Sequence, residues 1–245
     1  MRASARTYIA VLAVSLVVGL PAHGAGEFPL QHAGNDVSNI ASLQRGARNF
    51  VNFCMGCHSA QYVRYNRLAE DLGLSEDQVI DNLMFAAEKP QETMTIAMPE
   101  QDAQGWFGQA PPDLSLIARS RGPDYLYTFL KTFYLEPGSP TGVNNLVLAN
   151  ASMPHVLWEL QGEQRLIEET DDEGHRVQRL EMVRPGRLSP DEYDQFVRDI
   201  VNFLDYVGEP MQRERIRLGG WVIAFLLVFG LFSYLLKEEI WKDIK

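Results

Sequence analysis

The sequence predicts a mainly α domain with long loops and one small β-hairpin, tethered at its C-terminus by a single transmembrane helix. Three observations carry that prediction. Four segments place apolar residues at helical spacing, prolines punctuate the chain between them, and Leu218 to Leu236 is an uninterrupted run of 19 uncharged residues. Across 245 residues, 46% apolar content is too high for a disordered chain and too low for a polytopic membrane protein. A formal net charge of −10, from 22 Lys+Arg against 32 Asp+Glu, argues against nucleic-acid binding and suits a basic protein partner.

Taken in order, the chain opens with Arg2 and Arg6, then Tyr8 to Leu20, an uncharged run of 13 residues. That run is too short to cross a bilayer as a relaxed helix and has the length of a signal-peptide core. Pro21 and the small residues after it predict cleavage after Gly24 or Ala25, so residues 1–25 read as a signal peptide and the mature chain starts near Gly26. Ile40, Leu43, Ala47, Phe50 and Val51 then recur at helical spacing and run into Cys54. Ser75 with Gln78 three residues on is a capping-box pattern that opens a second helix through about Phe85. Asp124 to Tyr134 reads as a third. The fourth opens at Ser189-Pro190-Asp191-Glu192, with Ser as N-cap, Pro at the first helical position and Glu at the third. Tyr193, Phe196, Val197, Ile200, Val201 and Leu204 fall on one of its faces, and Gly208 and Pro210 end it. Between the third and fourth helices, Arg165 to Thr170 and His175 to Val183 flank the turn-forming tetrad Asp171-Asp172-Glu173-Gly174, which predicts the hairpin.

The 19-residue run spans roughly 28 Å as a helix, close to the thickness of a hydrocarbon core. Trp221, Tyr234 and Trp241 lie near its ends, where amphipathic rings prefer the interface. Basic residues tie on its two sides, so the exported leader sets the orientation. Residues 26–212 are then expected in the periplasm, 213–237 as the membrane anchor and 238–245 as a cytoplasmic tail: a single-pass protein of the bacterial inner membrane.

The chemistry is concentrated at Cys54, Cys57 and His58, the chain's two cysteines and the adjacent imidazole. Cys-x-x-Cys-His attaches a c-type haem: two thiols three apart on one turn add to the two vinyl groups, and the imidazole turns a nitrogen onto the iron. A zinc site would need two further ligands, and His155 and His175 are too far apart in sequence for the usual spacing. A thioredoxin-like pair would follow a strand, whereas a helix leads in here. On the opposite side of the ring a thioether would give a six-coordinate iron of raised potential, and an open position would favour gas binding or peroxide chemistry. Among eight methionines, Met98-Pro99 and Met153-Pro154 are the candidates in Pro-bearing loops, and spacing does not choose between them.

Phe53-Cys54-Met55-Gly56-Cys57-His58-Ser59, Tyr65-Asn66-Arg67-Leu68, Ala110-Pro111-Pro112-Asp113-Leu114-Ser115 with Arg119 and Arg121, Pro140-Thr141-Gly142, Met153-Pro154 and a C-terminal span follow one another in an order that resembles the cytochrome c1 family, the haem c subunit of the cytochrome bc1 (ubiquinol–cytochrome c reductase) complex. The resemblance covers nearly the whole chain and implies a class I c-type cytochrome-like haem domain. It implies an electron-transfer subunit that passes electrons from a Rieske iron–sulfur protein through covalent haem c to a soluble basic cytochrome c, with cytochrome b as the membrane partner and no catalytic residue of its own. By position it makes His58 and Met153 the iron ligands and Cys54 and Cys57 the anchors. It also makes Arg121 and Arg119 propionate partners, Tyr125 a nearby hydrogen-bond donor, and Pro111 and Pro112 the haem edge. A solvated helix end is the plainer reading of the two arginines. The other functions weighed are a membrane-anchored haem sensor or peroxidase-type protein and the haem c subunit of another respiratory oxidase. Glu159, Glu163, Glu168, Glu169, Asp171, Asp172 and Glu173 form an acidic stretch that would steer a basic cytochrome c, or simply solvate the hairpin.

Overall fold

A computed structural model describes residues 28–170 and 176–242; the predicted signal peptide and the turn residues 171–175 lie outside them. In chain order the elements are α1 (Ile40–Phe53), β1 (Ala60–Arg64), α2 (Tyr65–Leu72), α3 (Glu76–Leu83), β2 (Thr93–Met94), α4 (Glu100–Phe107), α5 (Ile117–Arg121), α6 (Pro123–Lys131), β3 (Phe133–Leu135), β4 (Val143–Asn145), α7 (Trp158–Gln161), β5 (Gly162–Thr170), β6 (Arg176–Pro185), α8 (Pro190–Gly208) and α9 (Gln212–Ile240). The strands make three separate two-stranded antiparallel ladders, β1 with β2, β3 with β4 and β5 with β6, so the fold is mainly α as the sequence predicts.

The core is organised by the packing of α1 against α8. Both start where side-chain chemistry predicts. The Asn39 side chain accepts from the Ser42 N–H, and at α8 the Ser189 and Glu192 side chains each accept from the other's backbone N–H. The apolar stripes close on each other, with Phe50 against Phe203 at 5.5 Å and Leu43, Ala47, Val197, Ile200 and Val201 buried around them. A polar seam runs through the same contact. Asp199 is 2% exposed and accepts two hydrogen bonds from Arg45, at 2.6 and 2.8 Å, and one from Ser42 at 2.6 Å. Paired in this way, a buried carboxylate carries no orphaned charge. The segment before α1 is strapped over α6 and α8, with the Ala33 N–H on Asp124 and the Asn35 amide on Asp205.

Two helices stop earlier than their patterns predict. The Ser75 helix ends at Leu83, and Met84 leaves helical geometry as its C-cap. The third helix ends at Lys131, and Phe133 and Tyr134, read as its last residues, are in β3 opposite Asn145 and Asn144. The Thr132 hydroxyl donates back to the Thr128 carbonyl, and the β-ladder then takes the backbone of the aromatic pair, which suits a strand as well as a helix. The hairpin extends three residues before and two after its predicted strands. Its acidic residues are partly neutralised across the ladder: Glu163 pairs with Arg184, Glu169 with Arg179 and Glu181 with Arg165.

Helix α9 is long and apolar enough to cross a membrane, and none of its side chains is buried against the domain. Its connection to the domain is polar: Glu209, at the end of α8, pairs with Arg215 at 2.7 Å and with Arg119 at 2.8 Å. Ending the chain at Arg217 should therefore release a soluble domain with an unchanged haem spectrum. A truncated protein that stays in the membrane fraction without partner subunits would reveal a second anchor.

Candidate functional site

Helix α1 delivers the haem motif directly. The Cys54 N–H closes the last turn on the Phe50 carbonyl at 2.8 Å, and the Cys57 and His58 N–H groups then fold back onto the Cys54 carbonyl at 3.0 and 2.9 Å. Burial pushes the Cys54 thiol up to about 12, helped by neighbouring Cys57. The His58 Nδ1–H donates to the Pro112 carbonyl at 2.7 Å, which leaves the Nε2 lone pair free. Burial holds this imidazole below its ordinary pKa, against the opposing pull of the Pro112 bond.

The segment carrying Pro112 is stitched to the chain just beyond the motif. Leu114 N–H reaches the Ser59 carbonyl at 2.8 Å, Asp113 accepts from the Gln61 N–H at 2.9 Å, and the Ser115 hydroxyl accepts from the Tyr62 N–H at 3.1 Å. Pro-Pro-Asp-Leu-Ser thus acts as a bracket: the first two residues face the cavity and the polar ones fix the bracket in place.

One apolar cavity collects the end of α1, this bracket, α6, the loop before α7 and the inner face of α8. Cys54, Cys57, His58, Pro111, Pro112, Arg121, Tyr125 and Met153 all stand on its wall. Met98 does not; it is half-buried beside the start of α4. Arg119 and Arg121 part company. The Arg121 guanidinium lies over the Tyr125 ring, 5.4 Å from its centroid and on the cavity wall, whereas Arg119 turns away to Glu209. Residues two apart on a helix point to opposite sides, so only one of the pair can face the cavity.

Several wall and support residues were not singled out from sequence. Phe107, Phe129, Leu148, Ala151 and Val156 line the cavity, and Ile200 and Leu204 close it from α8, where their periodicity signalled burial but not this role. The loop leading to Met153 is held by two asparagines. Asn144 accepts from the N–H of Asn150, which has left-handed φ of 59°, and buried Asn145 accepts from Val147 and Leu148 while donating to the Phe129 carbonyl at 2.8 Å. A covalently attached haem fits this donor set: two thiols on one turn, an imidazole with its outer nitrogen already tied, a thioether, an apolar wall and one guanidinium on the cavity wall among the described residues.

Residues 35–244 match the cytochrome C1 family. The chain is 50% identical over 228 residues to a cytochrome c1 of Allochromatium vinosum, covering 92% of this chain and 93% of the relative. It is 44% identical over 235 residues to a protein of Nitrosomonas europaea named ammonia monooxygenase gamma subunit, covering 96% and 97%. A cytochrome c1 of Rhodospirillum rubrum is 28% identical over 240 residues, covering 83% and 82%.

Proposed function

The chain belongs to the cytochrome c1 family, the haem c subunit of the bc1 complex, and from that premise we propose that it takes electrons from a Rieske iron–sulfur protein and passes them to a soluble basic cytochrome c. Covalent haem c supplies a one-electron iron couple when bound. Cys54 and Cys57 anchor it as thioethers. His58 presents Nε2 to the iron, with Nδ1–H held on Pro112 so that the ring cannot swing away. Met153, on the same cavity wall, would hold the iron through its thioether, which would raise the potential and shield the iron from exogenous ligands. Arg121, steadied on Tyr125, neutralises a propionate, and the apolar wall keeps water off the rest of the site. Arg119 serves the junction with the membrane helix instead, through Glu209. In this reading residues 1–25 are a signal peptide, residues 26–212 the periplasmic haem domain, 213–237 the anchor in the inner membrane beside cytochrome b, and 238–245 a cytoplasmic tail.

The observation that carries this reading is the convergence of both thiols, the tethered His58 and Met153 on one apolar wall. Purification in mild detergent tests it. A co-purifying b-type haem and a Rieske electron paramagnetic resonance signal are expected. The name of the Nitrosomonas europaea relative sets the alternative: a haem c protein that emerges with ammonia monooxygenase activity and without b-type haem would overturn the proposal.

The β5–β6 hairpin yields a kinetic prediction. Glu168→Gln, Glu169→Gln, Asp171→Asn and Asp172→Asn together should slow the reaction with a basic cytochrome c by up to about tenfold at low salt and flatten its ionic-strength dependence. Quinol oxidation within the complex should hardly change. An unaltered salt dependence would make the hairpin a solvated projection and move the docking surface elsewhere.

A further inference from the structure

A line of rings runs from the Met153 loop round the cavity wall. His155 lies flat on Phe133, with centroids 4.9 Å apart and planes 5° from parallel. Phe133 meets Phe129 edge-on at 5.1 Å and 70°, and Phe129 stacks on Tyr125 at 6.3 Å and 6°, with the Arg121 guanidinium over the far ring. Phe129 and Tyr125 belong to the cavity wall; His155 and Phe133 stand behind it, two residues from Met153 and two residues past the end of α6.

Three features make His155 the fixed end of this line. It is 8% exposed, its Nε2 has no hydrogen-bond partner, and its ring lies flat on Phe133, so its place in the fold is set by ring packing. Phe133 beneath it is 1% exposed and cannot yield, because β3 is laddered to β4 and the Gln164 amide donates to the Phe133 carbonyl at 3.2 Å. Pro154, His155 and Phe133 border a cavity of about 340 Å³, so the loop has room to shift outward, and the stack opposes the shift.

We infer that His155 is a positioning residue for Met153: its stack on Phe133 holds the Met153-Pro154 loop inward, so that the thioether stays against the iron. This inference rests on the haem reading above, in which Met153 is the ligand. Removing the ring would let the loop relax into the outer cavity and loosen the sulfur without touching the attachment at Cys54 and Cys57.

The test uses the full-length protein in detergent and reads the sulfur-to-iron charge-transfer band, the midpoint potential, and covalent haem content. His155→Ala is expected to lose most of the band, lower the potential and admit carbon monoxide to the reduced iron, with haem content unchanged. His155→Phe, which keeps a flat ring and discards the nitrogens, should restore all three. Phe133→Leu, which disturbs the stack from the opposite side, should reproduce the alanine phenotype and serves if His155→Ala does not accumulate. A full band and unchanged potential in either His155→Ala or Phe133→Leu would overturn the inference, as would failure of His155→Phe to rescue. Met153→Leu is the control for the underlying reading: a band that survives it shows that Met153 is not the ligand, a different failure from a band that Met153→Leu abolishes and His155→Ala leaves intact.

Discussion

Met153→Leu should leave haem covalently bound, abolish the sulfur-to-iron charge-transfer band, lower the midpoint potential by on the order of 0.2 V within the roughly 0.8 V that axial ligation spans, and open the reduced iron to carbon monoxide. Leucine nearly matches methionine in volume, so the apolar wall should tolerate the exchange at about 1 kcal/mol or less, and the effect on the iron is separable from an effect on folding. The anchors are independent of the change, because Cys54 and Cys57 are held by the end of α1 and not by the loop before α7. Met98→Leu is the matched control. Both methionines precede a proline in a loop, but Met98 is not on the cavity wall, so its replacement should alter neither band nor potential. Loss of the band in Met98→Leu with retention in Met153→Leu would reverse the assignment.

The contrast between those two methionines marks what a single chain discloses. Features fixed by neighbours in sequence were legible. The capping chemistry of Ser189 and Glu192, the periodicity running into Cys54, and the hairpin around the acidic tetrad each determine local structure within a few residues, and each is present. Features fixed by distant partners were not. Nothing near Thr93 announces that it pairs with Arg64, and Phe133-Tyr134 satisfies a helical pattern until Asn144 and Asn145 arrive to claim its backbone. The same asparagines tie down the Met153 loop, a role invisible in residues that read locally as turn formers. Arg119 and Arg121 could have been separated from sequence by their spacing on one helix, but which of them faces the cavity depends on Glu209, almost a hundred residues away. How far the acidic stretch is neutralised also depends on distant partners: counting charges along β5 omits Arg179 and Arg184, which β6 pairs with Glu169 and Glu163.

The second large effect is expected at a residue the motifs pass over. Gly46 sits in the middle of α1, where glycine costs a helix about 1 kcal/mol relative to alanine, so its presence calls for a reason. The reason is the approach of α8: a Cβ on Gly46 would lie 2.0 Å from the Asp199 carbonyl oxygen and 2.7 Å from the Phe203 Cβ. The first of these is backbone, which cannot rotate out of the way, so Gly46→Ala must push the helices apart. That movement would strain the Arg45–Asp199–Ser42 seam and the Phe50–Phe203 contact together. The cost should reach about 3 kcal/mol, the upper end for overpacking a core, and lower the melting temperature by roughly 6–12 °C for a domain of this size. Gly105 in α4 gives the opposite result by the same reasoning. An added Cβ there meets nothing within 4 Å, so Gly105→Ala should be neutral or stabilising by up to about 1 kcal/mol. Thermal melts of the two haem-loaded variants decide the matter. If Gly46→Ala melts with the unmodified protein, the α1–α8 contact is not the rigid frame on which Cys54, Ile200 and Leu204 are set around the haem cavity.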